Sequence, residues 1–86
     1  MKVAWDEDKN AANQRKHQLS FEEAQHVFSS DDYLEVFDQE HSDTEERFIA
    51  IGLINRGLIV VVWTQTEENE IWIMSALRNK ARSGAL

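Results

Sequence analysis

The chain predicts an α+β fold in which two N-terminal helices pack on an antiparallel sheet of four to five strands. Three observations carry this. Helix-start signals and apolar residues at helical spacing occupy residues 6–29. Apolar runs of strand length, separated by short turns, occupy residues 33–76. A short strand candidate, Lys2 to Trp5, precedes the helices. Short turns force antiparallel neighbours, and helices with one buried face must cover one face of the sheet.

Each element has its own signal. Asp6 reads as a helix N-cap, with Glu7 and Asp8 in the first turn, where carboxylates complement the positive end of the helix dipole. The helix should run to about His17, with Arg15, Lys16 and His17 in its last turn. That gradient from acid to base stabilises the helix whatever else it does. Gln18 and Leu19 make the connection. Ser20-Phe21-Glu22-Glu23 has capping-box spacing. Phe21, Ala24, Val27 and Phe28 follow at helical spacing, so a second helix should end near Ser29, with His26 at its surface or boundary.

The strands follow. Tyr33 to Asp38 is rich in β-formers, and Asp38 to Asp43 is a polar loop. Phe48 to Ile54 reads as a strand ended by the turn signal Asn55-Arg56-Gly57. Leu58 to Thr66 is nearly continuous apolar and should be the central strand. Glu67-Glu68-Asn69 makes a second turn. Ile71 to Ala76 is the last strand, with Ile71, Ile73 and Ser75 on one face and Trp72, Met74 and Ala76 on the other. The tail from Leu77 to Leu86 is a candidate short helix that Gly84 would fray.

Eighty-six residues make one domain, 1–86, with 42% apolar residues, three Trp and four Phe to fill a core. There is no cysteine, so disulfides and thiolate metal sites are excluded and a cytoplasmic setting is expected. No segment reads as a signal peptide or a membrane span. The net charge of −7 argues against a free-standing nucleic-acid binder. The charge is uneven, however. From Asp31 to Glu46 there are eight acids and no Lys or Arg, whereas Ser75 to Leu86 holds Arg78, Lys80 and Arg82 and no acid. A bipolar molecule is expected, though both runs also fit ordinary solvated surface.

Asp38 to Glu46 alternates oxygen-bearing side chains in the manner of a calcium loop. Asp43 and Ile49 occupy the positions where such a loop needs glycine and a carboxylate. The three histidines lack metal-ligand spacing. No phosphate loop, dinucleotide motif or nucleophile elbow is present, so no metal or cofactor is expected. What remains is acid–base chemistry. Metal-free RNA cleavage needs a base for the 2′-OH proton, cations for the phosphate and an acid for the leaving oxygen. His17, Glu46, Arg47 and Arg78 are the candidates for these catalytic roles, arginine because its planar fork donates paired hydrogen bonds. Any small soluble domain has residues of these types.

Specific motifs narrow the reading. Trp5-Asp6, Lys9, Asn13 and Lys16-His17, then Ser20-Phe21-Glu22, Ala24 and Val27-Phe28, match the opening of one family. Asp38, His41, Glu45-Glu46-Arg47 and Gly52 match its acidic stretch and glycine-bearing strand. Trp72-Ile73-Met74-Ser75-Ala76-Leu77-Arg78 corresponds to its closing signature. The chain resembles the BrnT toxins of bacterial type II toxin–antitoxin systems over nearly its whole length.

The resemblance implies a RelE-like ribonuclease that inhibits translation and is neutralised by a BrnA-like antitoxin with a ribbon-helix-helix domain. Operator DNA would be bound only through that complex. His17 would transfer protons with Glu46 as partner base, and Lys16, Arg47 and Arg78 would hold phosphate. Lys9, Lys80 and Arg82 would contact the RNA backbone. Three positions depart from the pattern: Trp72 and Leu77 stand where it has arginine, and Gln18 where it has glycine. The alternative implied by these departures is a catalytically degenerate homologue that binds the antitoxin and serves as a transcriptional co-repressor.

Overall fold

Five strands form one sheet in the order β1-β5-β4-β3-β2: β1 (Lys2–Trp5), β2 (Leu34–Phe37), β3 (Phe48–Ile54), β4 (Gly57–Glu67) and β5 (Glu70–Arg78). The structure, a computed structural model, describes residues 2–41, 45–67 and 69–78. Between β1 and β2 lie the helix α1 (Glu7–His17), the single helical turn α2 (Phe21–Ala24) and a 3-10 turn, Gln25–Ser29.

The sheet is mixed, not antiparallel throughout. β2 to β5 pair antiparallel, but β1 pairs parallel to β5, from Lys2 opposite Glu70 to Trp5 opposite Ile73. Tight turns dictate direction only for the strands they join, and β1 leads into α1 instead. The second helix is also shorter than expected. Its start is as read, with the Ser20–Glu23 capping box complete. After Ala24 the backbone tightens into the 3-10 turn, which lays Val27 over Gly52. β5 continues to Arg78, so the first two residues of the candidate C-terminal helix are strand, and residues 79–86 lie outside the described ones.

The faces of β5 also differ from simple alternation. Val62 pairs with Ser75 but Trp63 pairs with Ile73, so Met74 is an extra residue that forms a bulge. The bulge shifts the pattern by one. Ile71, Ile73 and Ala76 therefore share the buried face, and Ser75 does not.

The core lies between that face and the helical segments. Leu19, Phe21, Ala24 and Val27 meet Ala50, Ile59, Val61, Trp63, Ile71, Ile73 and Ala76. Trp5 packs edge-on against Phe21, and Trp63 stacks on Phe48. Trp72 is outside this core, half-buried on the opposite face of the sheet opposite Thr64. Among the described residues, no helical segment covers that face. The continuous apolar run of β4 is thus buried on one side only.

α1 has no large apolar side chain, and its buried residues are Asn10 and Asn13. Both act as hydrogen-bonding plugs. β1 stops at the level of Ile73, which leaves the next stretch of β5 without a strand partner on that side. Asn13 fills the gap: its carboxamide accepts from Ala76 N–H at 3.2 Å and donates to the Ala76 carbonyl at 2.7 Å and the Leu19 carbonyl at 2.9 Å. Asn10 Oδ1 accepts from Phe21 N–H at 2.8 Å, one of the orphan donors of α2, and its Nδ2 donates to Glu7 and Glu22. Polar bonds therefore dock α1 where apolar contacts usually do.

Candidate functional site

The strand register orders the charges along the sheet. β4 and β5 run in opposite directions, and Arg78 ends β5 opposite Ile59, near the start of β4. The Asn55–Arg56 turn lies at this end, and Arg56 Nη2 donates to the Gln18 carbonyl at 3.0 Å, so the C-terminus of α1 is there too. Arg15, Lys16, His17, Arg56 and Arg78 thus gather at one end of the sheet. At the other end stand Glu67 and Glu70, and Glu45 and Glu46 lead into β3. The cations stand at one strand end, whereas the acidic run spans both, since Asp31 and Asp32 lead into β2 at Leu34, level with Leu77.

His17 is placed by helix geometry. Asn10, Asn13 and His17 are three and then four residues apart, so they share one face of α1. The first two are buried and His17 is half-buried, so His17 lies on the face that α1 turns to the sheet. Lys9 and Lys16, seven residues apart, share a neighbouring exposed face. Among the described residues, Arg15, Lys16 and Arg78 make no ion pair. Their charges are available to an anion.

Glu46 and Arg47 are elsewhere. Arg47 directly precedes Phe48, and Arg78 lies level with Gly52 and Ile59. Five residues of strand rise separate the two levels, about 17 Å along the sheet, with two strand spacings across. Arg47 is also engaged locally, 4.0 Å from the Glu45 carboxylate, and its carbonyl accepts from Asp38 N–H. The structure brings His17, Lys16 and Arg78 to one end and leaves Glu46 and Arg47 at the other. Lys80 and Arg82 lie outside the described residues; the chain leads to them from Arg78.

The contacts of Arg56 with Glu23 and Gln18 escaped the reading of the sequence, whereas Gln18 itself was read as the residue that follows the helix in place of glycine. Gln18 takes the left-handed conformation, φ 54°, that ends α1. Arg56 Nη1 donates to both carboxylate oxygens of Glu23, at 3.0 and 2.9 Å, while its Nη2 holds the Gln18 carbonyl. The guanidinium beside Glu23 holds that carboxyl below its usual range, helped by the Ser20 backbone N–H. Arg56 is a clamp on the helix end that bears His17. Nothing local marks it, because its partners lie 33 and 38 residues away. A cleft of about 590 Å³ opens beside this clamp, lined by His26, Ser29, Ser30 and Leu53 among others.

Comparison with known proteins follows the same outline. A family model described as "Ribonuclease toxin, BrnT, of type II toxin-antitoxin system" matches residues 5–82. Among solved structures, the crystal structure of the ribonuclease toxin BrnT of Brucella abortus superposes with a TM-score of 0.68. It is 25% identical in sequence, and the match covers 93% of this chain and 97% of that one. No protein of curated function matches the chain.

Proposed function

Since the chain belongs to the BrnT family of ribonuclease toxins of type II toxin–antitoxin systems, we propose that it cleaves RNA without a metal ion and is neutralised by a cognate antitoxin. The observation that carries the chemistry is the cationic end, where a half-buried histidine stands with Arg15, Lys16 and Arg78, which make no ion pair among the described residues. His17 takes the 2′-OH proton, O2′ attacks phosphorus to form a 2′,3′-cyclic phosphate as the P–O5′ bond breaks, and the leaving 5′ oxygen takes a proton from water. Arg78 and Lys16 hold the phosphate as its charge grows, and Lys9, Lys80 and Arg82 track the RNA backbone. Glu46 and Arg47 are too distant to share that phosphate, and the proposed step does not use them. In this reading the fold is RelE-like and the protein acts in the cytoplasm. RNA cleavage stops translation there, and a BrnA-like antitoxin supplies a ribbon-helix-helix domain for the operator.

One observation favours a second reading. Trp72 and Leu77 both lie on the sheet face that no helical segment covers among the described residues, and there they extend an apolar surface. That surface suits protein contact better than RNA contact, as a degenerate homologue that only binds its antitoxin would require.

Incubation of purified protein with RNA separates the two. Cleavage that His17→Ala lowers at least a hundredfold and Glu46→Gln leaves unchanged supports the nuclease. Absence of cleavage by the wild-type protein, with tight co-purification of the neighbouring gene product, leaves only the binding module.

A further inference from the structure

Among the described residues, no helical segment covers the sheet face opposite the core, and that face is apolar toward β2. Leu34 and Val36 of β2 stand beside Ile51 and Ile49 of β3, and Val60 of β4 pairs with Leu77. Leu34 is 65% exposed and Leu53 70%. The side chains cover four strands and about three rows, on the order of 300–400 Å². The largest apolar patch of a small protein is of about this size and is often functional.

β2 lies at the margin of this face and is one of the two edge strands of the sheet, β1 being the other. All four of its residues are exposed, and Phe37 adds an apolar side chain on the helix-covered side. Natural edges are blunted by shortness, charged side chains, proline or a bulge. β2 is short and carries Glu35, but it has no lysine, proline or bulge. Acids surround it: Asp31, Asp32, Glu35, Asp38 and Glu40 lie in or next to the strand, and no Lys or Arg occurs from Asp31 to Glu46.

We propose that the β2 edge and the adjoining open face dock one extended segment of a partner protein, basic and aliphatic in alternation, which joins the sheet as a sixth strand. The edge supplies main-chain hydrogen bonds, the aliphatic side chains of the segment lie on Leu34 and Val36, and its cations meet the acidic rim. A second copy of this chain fits less well. Edge-to-edge pairing would set acids against acids, and the open face alone falls short of the roughly 800 Å² per partner in a stable complex. The inference draws on the toxin reading only for the expectation that a partner exists. The surface does not depend on RNA cleavage.

The test uses the isotope-labelled full chain and three synthetic ten-residue peptides. All carry valine and isoleucine at alternate positions, with lysine and arginine, glutamate, or serine and threonine between them. The cationic peptide should slow amide exchange of Glu35 and Phe37, whose N–H groups face away from β3, at least tenfold, with binding that weakens as salt rises. Val36→Lys should abolish that protection while leaving the thermal melt and RNA cleavage as in wild type. Equal protection by the glutamate peptide, protection only elsewhere, or retained binding by Val36→Lys overturns the proposal. Concentration-dependent protection of the same amides without peptide also overturns it, in favour of a second copy. A wild-type protein that cuts no RNA refutes the nuclease and leaves the peptide result intact.

Discussion

Asn13 holds both backbone hydrogen-bonding groups of Ala76, accepting from its N–H and donating to its carbonyl from 63 residues away in sequence. The side chain does the work of a missing strand where β1 has ended. Asn13→Leu keeps a similar volume but leaves the Ala76 N–H, the Ala76 carbonyl and the Leu19 carbonyl without their partner. Each unsatisfied buried group costs about 1–3 kcal/mol, less whatever water recovers. A loss of about 2–4 kcal/mol is expected, read from the denaturant midpoint at constant slope. A shift of less than about 0.5 kcal/mol would show that the bond is incidental.

That pair also shows where the sequence was legible and where it was not. Asp6, the Ser20–Glu23 box and the Asn55–Gly57 turn act through residues a few positions apart, so their elements appear with correct starts. The bulge at Met74 depends on how β5 sits against β4, which periodicity within β5 does not report. The parallel pairing of β1 is likewise a tertiary choice. At the candidate site, the acid-to-base gradient of α1 was visible, and so was the uneven charge of the chain. The separation of Arg47 from Arg78 follows from register, and the Arg56 clamp from a loop meeting two helical segments. Neither leaves a mark in local sequence.

Gln18 ends α1 in the left-handed region at φ 54°, where a Cβ is unfavourable and glycine is not. Gln18→Gly should stabilise the protein by about 0.5–1 kcal/mol. The gain is moderated by glycine's larger unfolded-state entropy and by loss of the exposed Nε2 bond to the Arg15 carbonyl at 3.2 Å. Paired thermal melts of variant and wild type check this, and a lower melting temperature in the variant would contradict it.

Gly52 is required for close approach. A Cβ there would stand 2.6 Å from Val27 Cγ2 and 2.9 Å from Tyr33 Cβ, well inside van der Waals contact. Val27 is fully buried, so it has nowhere to turn without moving the 3-10 turn off β3. Gly52→Ala should cost about 1–3 kcal/mol by overpacking. Val27→Ala in the same background should recover part of that loss. Two losses that simply add would refute steric conflict between the two positions.

The Glu23–Arg56 clamp predicts a dependence of stability on pH. The Glu23 carboxyl is held below its ordinary value of 4.5, first by its hydrogen bond from Arg56 and then by the Ser20 backbone N–H. A depressed folded-state value means that the unfolded chain binds the proton more readily. The stabilisation is therefore present above the unfolded value and is lost as pH falls through the folded one. Arg56→Ala should be less stable than wild type at neutral pH, and the two stability curves should converge as the carboxyl protonates. Both side chains are more than a third exposed, at 37% and 41%, so solvent screens the pair and a gap below about 1 kcal/mol is expected, smaller still in high salt. A gap that persists unchanged into acid would assign the effect to packing of the arginine stem instead. Since Arg56 also bonds the Gln18 carbonyl, the same variant should loosen the end of α1, raising amide exchange of Gln18 above its wild-type rate.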